Sequence, residues 1–122
     1  MSSFRKERLG IGIVGGGFVA GFHIRSFEAV RNADIRGVVS RTRDTATNAA
    51  DLVKDLGVGD AEVFESVAEM VTDSNIDAIW ICSPNFTHVE IMEEIVNTLE
   101  SGQGELVGVC CEKPLGVSLS LI

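Results

Sequence analysis

The chain has 122 residues, 45% hydrophobic and 23% charged, with a formal net charge of -8. That length suits one domain, residues 1–122, with its own core, and no apolar run reaches the roughly twenty residues a bilayer span requires. Up to Arg43 there are eight basic and three acidic residues, and from Asp44 onward two basic and fifteen acidic; the acidic part excludes nucleic acid and anionic membranes as partners.

At the start, Arg5, Lys6 and Arg8 ahead of Leu9 to Phe22 have the outline of a secretory signal, but Gly12, Gly15, Gly16 and Gly17 break the helix such a segment needs. Leu9 to Val14 reads instead as a short buried strand that runs into the pattern Gly15-x-Gly17-x-x-Ala20. Glycines there permit a tight turn and keep side chains off the backbone amides. A small residue at position 20 lets the following helix pack closely on the strand. The helix then directs its unpaired N–H groups and the positive end of its dipole at an anion, as a dinucleotide's diphosphate requires. A plain tight turn is the alternative, because alanine stands where the stricter fingerprint has glycine.

Phe18, Val19, Phe22, Ser26, Phe27 and Val30 give the helix an apolar face expected to meet the core, and Ile35 to Val39 forms a second strand. After it stands Ser40-Arg41-Thr42-Arg43. A free ribose 2'-hydroxyl is usually gripped by a carboxylate at this place. A hydroxyl and a guanidinium suit a 2'-phosphate instead, which favours NADP and leaves NAD open. The competing reading has Arg41 and Arg43 solvated and Ser40 capping the next helix.

Thr42 or Asp44 caps a helix to about Leu56, with Ala46, Ala49, Ala50, Val53 and Leu56 inward and Gly57 and Gly59 at its end. A strand follows at Ala61 to Phe64, and Ser66 with Glu69 opens a short helix containing Val67, Met70 and Val71 as a capping box. Asp77 to Cys82 is a continuous apolar strand of the kind buried on both faces. In Ser83-Pro84-Asn85-Phe86-Thr87-His88, Pro84 stiffens the strand exit and Asn85 offers its amide to a nicotinamide or ribose. His88 faces a helix dipole that lowers its basicity, or is a surface or packing histidine, as His23 is also expected to be.

Thr87 and Glu90 form a second capping box, opening a helix lined by Ile91, Ile95 and Leu99 that ends at Gly102. The last strand is Leu106 to Cys111. Cys82, Cys110 and Cys111 lie in apolar runs without C-x-x-C spacing, so reduced, buried thiols in the cytoplasm are expected, with the adjacent pair on opposite strand faces.

Alternating strands and helices predict an α/β fold, a doubly wound parallel sheet of Rossmann type with helices on both faces. Ligands of such sheets sit at the carboxyl ends of the strands. Four segments should therefore converge there: Gly15 to Ala20, Ser40 to Arg43, Ser83 to His88, and Glu112 to Leu115. In the last, a half-desolvated Lys113 would have a lowered pKa and exchange a proton with a substrate hydroxyl while hydride passes to a nicotinamide; alternatively Glu112 and Lys113 form a solvated ion pair.

Gly15-x-Gly17-x-x-Ala20-x-x-His23, Ser83-Pro84-Asn85-x-x-His88 and Glu112-Lys113-Pro114-Leu115, in this order, resemble the glucose-fructose oxidoreductase / inositol dehydrogenase / rhizopine catabolism (Gfo/Idh/MocA) family from about Leu9 to Gly116. The resemblance implies NAD(P)-dependent oxidation or reduction of a sugar, cyclitol or related polyol, in a homo-oligomeric parent. It places Lys113 beside nicotinamide and substrate as the catalytic residue, with Asn85 and His88 lining the cofactor pocket. The cofactor-binding set is then Gly15, Gly16, Gly17, Phe18, Val19, Ser40, Arg41, Ser83, Pro84, Asn85, His88 and Glu112, with no metal ligand. Ser40 and Arg41 depart from the family's frequent acidic residue. Family members continue into a second α/β domain that supplies the substrate pocket, so this chain is expected to be the cofactor half, inactive alone. A nucleotide sensor or partner module, a nicotinamide-dependent glycosidase of the same family and, more distantly, a methyltransferase are the alternatives.

Overall fold

A computed structural model describes residues 7–113; Pro114 and Leu115, part of the last predicted segment, lie outside them, as does any cis bond at Pro114. Strands β1 (Leu9–Val14), β2 (Ala33–Val39), β3 (Glu62–Val63), β4 (Ala78–Ile81) and β5 (Gly108–Cys111) alternate with helices α1 (Phe18–Ser26), α2 (Arg43–Leu56), α3 (Val67–Thr72) and α4 (His88–Glu100). Short 3-10 turns stand at Phe27–Ala29 and Asn85–Thr87. All strand pairs are parallel, in the order β3-β2-β1-β4-β5. The doubly wound topology is as expected, and the strand order reverses between β1 and β4, where such sheets open a crevice at their carboxyl edge.

The core divides into two layers because strand residues alternate in facing. Ile13, Ile35 and Val38 meet Ala20 and Ile24 of α1 and Ala46, Ala49, Ala50 and Val53 of α2 on one face. On the other, Val14, Val39, Ile79 and Ile81 meet Val67, Met70 and Val71 of α3 and Ile95 of α4. Trp80, between Ile79 and Ile81, turns to the first face.

Helix α2 follows its sequence signals closely. The Thr42 hydroxyl accepts from the Thr45 amide, and Gly57 closes the other end in the left-handed region at φ +69°. The Ser66 hydroxyl likewise accepts from the Glu69 amide at 3.0 Å, while the Glu69 carboxylate reaches back one residue further than the usual box, to the Glu65 amide at 2.9 Å.

Three expectations are corrected. On α1 the buried residues are Ala20 and Ile24, continued by Phe27, whereas Phe18 is 89% exposed, Phe22 60%, Val30 42% and Val19 41%. Positions two apart on a helix differ by about 200°, so a buried Ala20–Ile24 stripe turns Phe18 and Phe22 outward. Ala20 and Ile24 join Ile13, Ile35 and the small residues Ala46, Ala49 and Ala50 of α2 in one cluster, a face the aromatic pair does not share. At α4, Thr87 is no cap: its backbone is helical, its hydroxyl donates to the Pro84 carbonyl at 2.6 Å, and the Asn85–Thr87 turn winds directly into the helix. Finally, Cys110 is exposed; Cys82 is buried and Cys111 packs on the α3/α4 layer, so the alternation of the adjacent pair is as expected but full burial is not.

Candidate functional site

The Gly15 amide donates to the Val39 carbonyl at 2.7 Å, and the Cys82 amide to the Val14 carbonyl at 2.8 Å, so the exits of β2, β1 and β4 are tied side by side. The three glycines that follow β1 are not equivalent. Gly15 has φ +116°, and a Cβ there would stand 2.9 Å from the Ser83 nitrogen; one on Gly16 would stand 2.7 Å from the Thr45 carbonyl oxygen. Both are demanded by the protein's own packing. A Cβ on Gly17 would meet nothing within 4 Å. Gly17 is the N-cap of α1 with extended backbone and no side-chain cap bond, and Phe18 and Val19 beside it are open to solvent. The first-turn amides of α1 thus lack the hydroxyl partner that α2 and α3 have, at the end where the helix dipole is positive. Such a cradle fits a diphosphate.

At the β2 exit, the Ser40 hydroxyl bonds the Thr45 hydroxyl at 2.7 Å, Thr42 takes the capping role, and Arg43 pairs with Glu65. Arg41 lies with its guanidinium carbon 5.9 Å from the Phe86 ring centroid, joining the β2 and β4 exits across the crevice mouth. At the β4 exit, Ser83 and Thr87 share a hydroxyl hydrogen bond at 2.7 Å, Pro84 starts the 3-10 turn, and Asn85 opens it. The His88 ring is 1% exposed, and its Nε2–H donates to the Ser83 carbonyl at 2.8 Å. His88 therefore holds the Ser83-to-Asn85 bend from beneath rather than presenting a solvated ring.

The β5 exit contributes a contact that sequence reading had not placed. Glu112, anchored by its amide to the Ile81 carbonyl at 3.0 Å, turns its carboxylate to His23 of α1, with Nε2 and Oε2 2.6 Å apart. The imidazole lies 4.5 Å, centroid to centroid, from Trp80, which in turn packs against Phe27 at 5.9 Å. Glu112 thus pairs across the fold, and Lys113 follows it directly at the crevice end. The partners are 89 positions apart, so no local periodicity links them; the residues by themselves suggest a surface or packing His23 and a Glu112 paired with Lys113. Burial pushes the Cys82 thiol up to about 12 and raises that of Cys111, so neither is an activated nucleophile. Among the described residues no group of His, Cys, Asp and Glu could hold a metal ion, and no helix is long and apolar enough to cross a membrane.

Residues 9–121 match the model of the GFO_IDH_MocA family, described as an oxidoreductase family with an NAD-binding Rossmann fold. The chain belongs to this family. It is 32% identical over 109 residues to glucose-6-phosphate 3-dehydrogenase of Bacillus subtilis, covering 89% of this chain and 27% of the relative. With inositol 2-dehydrogenase of Azotobacter vinelandii it shares 35% over 112 residues, covering 90% and 30%. The solved structure of GenD2 from gentamicin A biosynthesis in complex with NAD superposes at TM-score 0.73 with 30% identity, covering 99% of this chain and 31% of that one. Myo-inositol dehydrogenase from Lactobacillus casei, at TM-score 0.75 and 22% identity over 93% and 31% of the two chains, shares the fold. The chain thus spans under a third of the curated relatives it matches and carries the family's Rossmann fold.

Proposed function

We propose that this chain is the cofactor half of an NAD(P)-dependent dehydrogenase that moves a hydride between the nicotinamide and a sugar, cyclitol or related polyol. The observation that carries this reading is the uncapped start of α1 at Gly17, open to solvent and following a turn packed between the exits of β2 and β4. The amides of Phe18 and Val19 bind the diphosphate, and Gly15 and Gly16 let the turn come that close. The ribose and adenine side falls at Ser40 and Arg41, and the nicotinamide side at Ser83 to Asn85 and Glu112 to Lys113, because the diphosphate site divides the sheet between β1 and β4.

The nicotinamide supplies the hydride acceptor or donor when bound; the protein's part is orientation and proton transfer. Lys113 follows a strand end at the crevice, and its ammonium or amine gives or takes the proton of the substrate hydroxyl. The 122-residue chain alone binds cofactor weakly and turns over polyol at no measurable rate, since the residues gathered here orient the cofactor and not the substrate. Membership in the dehydrogenase family favours this reading over a sensor module.

NADP is favoured over NAD, because the β2 exit offers the Ser40 hydroxyl and the Arg41 guanidinium and no carboxylate at that turn. Titration with NADPH and NADH, followed by energy transfer from Trp80, the single tryptophan, to the reduced nicotinamide, tests the assignment. Arg41→Glu should weaken NADPH about tenfold or more, one charge-assisted contact being worth about 1.5–3 kcal/mol, and leave NADH nearly unchanged. An unaltered preference removes Arg41 from the site; failure of the unmodified chain to bind either nucleotide overturns the dinucleotide assignment itself.

A further inference from the structure

The His23–Glu112 pair lies on the nicotinamide side of the crevice, and nothing in diphosphate or ribose binding uses it. Its construction is specific. A carboxylate only accepts, so the imidazole Nε2 carries the proton and donates it to Glu112 Oε2 over 2.6 Å. The ring is fixed from one side by Trp80, 4.5 Å away, and from another by the edge of Phe22 at 5.8 Å. The side chains of His23 and Glu112 keep only 17% and 31% of their exposure, so the bond is shielded more than a surface ion pair is. The carboxylate belongs to the residue immediately before Lys113, and the backbone there is held to β4 by the Glu112 amide.

We infer that His23 is a positioning residue: through Glu112 it clamps the β5 exit onto α1, and so fixes where Lys113 and the neighbouring backbone meet the nicotinamide. This rests on the dinucleotide reading above. Without the clamp, the Glu112–Lys113 segment loses its tether to α1, and a side chain as long as lysine's must be immobilised when cofactor binds, at a cost in affinity. The loss falls on the nicotinamide end, because the side chains of the pair bond each other and pack on Trp80 and Phe22.

The experiment compares two probes by calorimetry on the full chain: NADPH, and 2'-phospho-ADP-ribose, which has the same adenosine, phosphate and diphosphate groups but no nicotinamide. His23→Leu removes the donor and keeps an apolar side chain against Trp80. It should weaken NADPH roughly tenfold, the scale of one charge-assisted hydrogen bond, and leave 2'-phospho-ADP-ribose within about twofold. His23→Gln, whose amide N–H still donates to Glu112, should recover most of the loss, which a role in packing alone does not predict. Glu112→Leu, which removes the acceptor, should give the same selective loss as His23→Leu, and the double variant should be no weaker than either single one, since all break one bond.

Equal weakening of both probes in His23→Leu would show that the residue supports the fold generally, and full additivity with Glu112→Leu would show that it does not act through the carboxylate; either overturns the proposal. If His23→Leu does not fold, Glu112→Leu and His23→Gln carry the same comparison, with selective loss of NADPH expected in the first and near-parent affinity in the second. An unmodified chain that binds neither probe overturns the dinucleotide reading and this inference with it, whereas probes that bind equally to every variant overturn only the clamp.

Discussion

At the start of α2 the Thr42 hydroxyl accepts the Thr45 amide, and at the start of α3 the Ser66 hydroxyl accepts that of Glu69; at the start of α1 Gly17 has no side chain to offer. All three helices carry the same unpaired amides and the same dipole, so the difference lies in what the chain leaves for something else to do. The glycines sharpen the contrast. Gly15 and Gly16 are needed whether or not a ligand ever binds, because protein atoms crowd their missing Cβ atoms; Gly17 faces open space. The proposed diphosphate site therefore rests on an omitted cap at a position that has room for one, more than on the number of glycines around it.

The largest test of this contrast is Gly17→Asp. Its backbone, at φ -88° and ψ -158°, is already the extended form an N-cap adopts, so the aspartate should cap α1 and raise stability by a few tenths of a kcal/mol. The same carboxylate then stands where the diphosphate charge belongs. Like charges about 4 Å apart repel by up to ~4 kcal/mol at an effective dielectric constant near 20, and with partial exposure a loss of roughly a hundredfold in NADPH or NADH affinity is expected. Thermal melts and nucleotide titrations of one preparation check both halves. A variant that binds as tightly as the parent chain would move the diphosphate away from α1.

Next in size is Gly15→Ala, which inverts that result. The methyl group would press on the Ser83 nitrogen from a backbone at φ +116°, so stability should fall by about 1–3 kcal/mol, and binding should suffer only as the fold does. Denaturant unfolding measures it; a neutral effect would mean that the turn relaxes freely. Smaller again is Ser66→Ala. Loss of that cap should cost about 1 kcal/mol with cofactor affinity unchanged, because Ser66 follows the edge strand β3, two strands from the β1–β4 boundary. Any change in affinity there would break the distinction between capping for stability and leaving amides open for ligand.

The same distinction explains which parts were legible in the sequence. Thr42, Gly57 and Ser66 announce their helix ends through local chemistry, and the apolar runs of β1, β2 and β4 announce buried strands, so the fold followed from neighbours in the chain. The orientation of α1 did not, since two stripes compete on it: Phe18 and Phe22 on one side, Ala20, Ile24 and Phe27 on the other. Side-chain size favours the aromatic stripe, and only the docking of α1 on α2 and the sheet through Ala20 and Ile24 reverses the choice. Thr87 misleads in another way, because its hydroxyl can bond backward to Pro84 as readily as forward to an amide. The His23–Glu112 bond joins positions that meet only after α1 and β5 have docked, and no pattern within either segment encodes it.

Contacts at the opposite edge of the sheet supply the last and smallest comparison. Arg8, just before β1, reaches Asp34 near the start of β2, with Nε donating to Oδ2 at 2.8 Å and Nη2 to Oδ1 at 2.6 Å. It is as well formed as any pair at the carboxyl edge, yet it lies at the end where parallel sheets place no ligand. The bond from the Arg8 guanidinium holds the Asp34 carboxyl below the usual carboxylate range. The pair therefore adds stability at every pH above the ordinary unfolded value of about 3.9, and that contribution disappears as pH falls through the lower folded value. With the two side chains 56% and 28% exposed, solvent screens most of it. Asp34→Asn should accordingly lower the melting temperature slightly near pH 7, converge with the parent chain at the acid end of the titration, and leave nucleotide affinity untouched throughout. A difference in melting temperature that persists in acid would assign the effect to packing of the new amide. A change in affinity would mean that the two edges of this sheet are coupled.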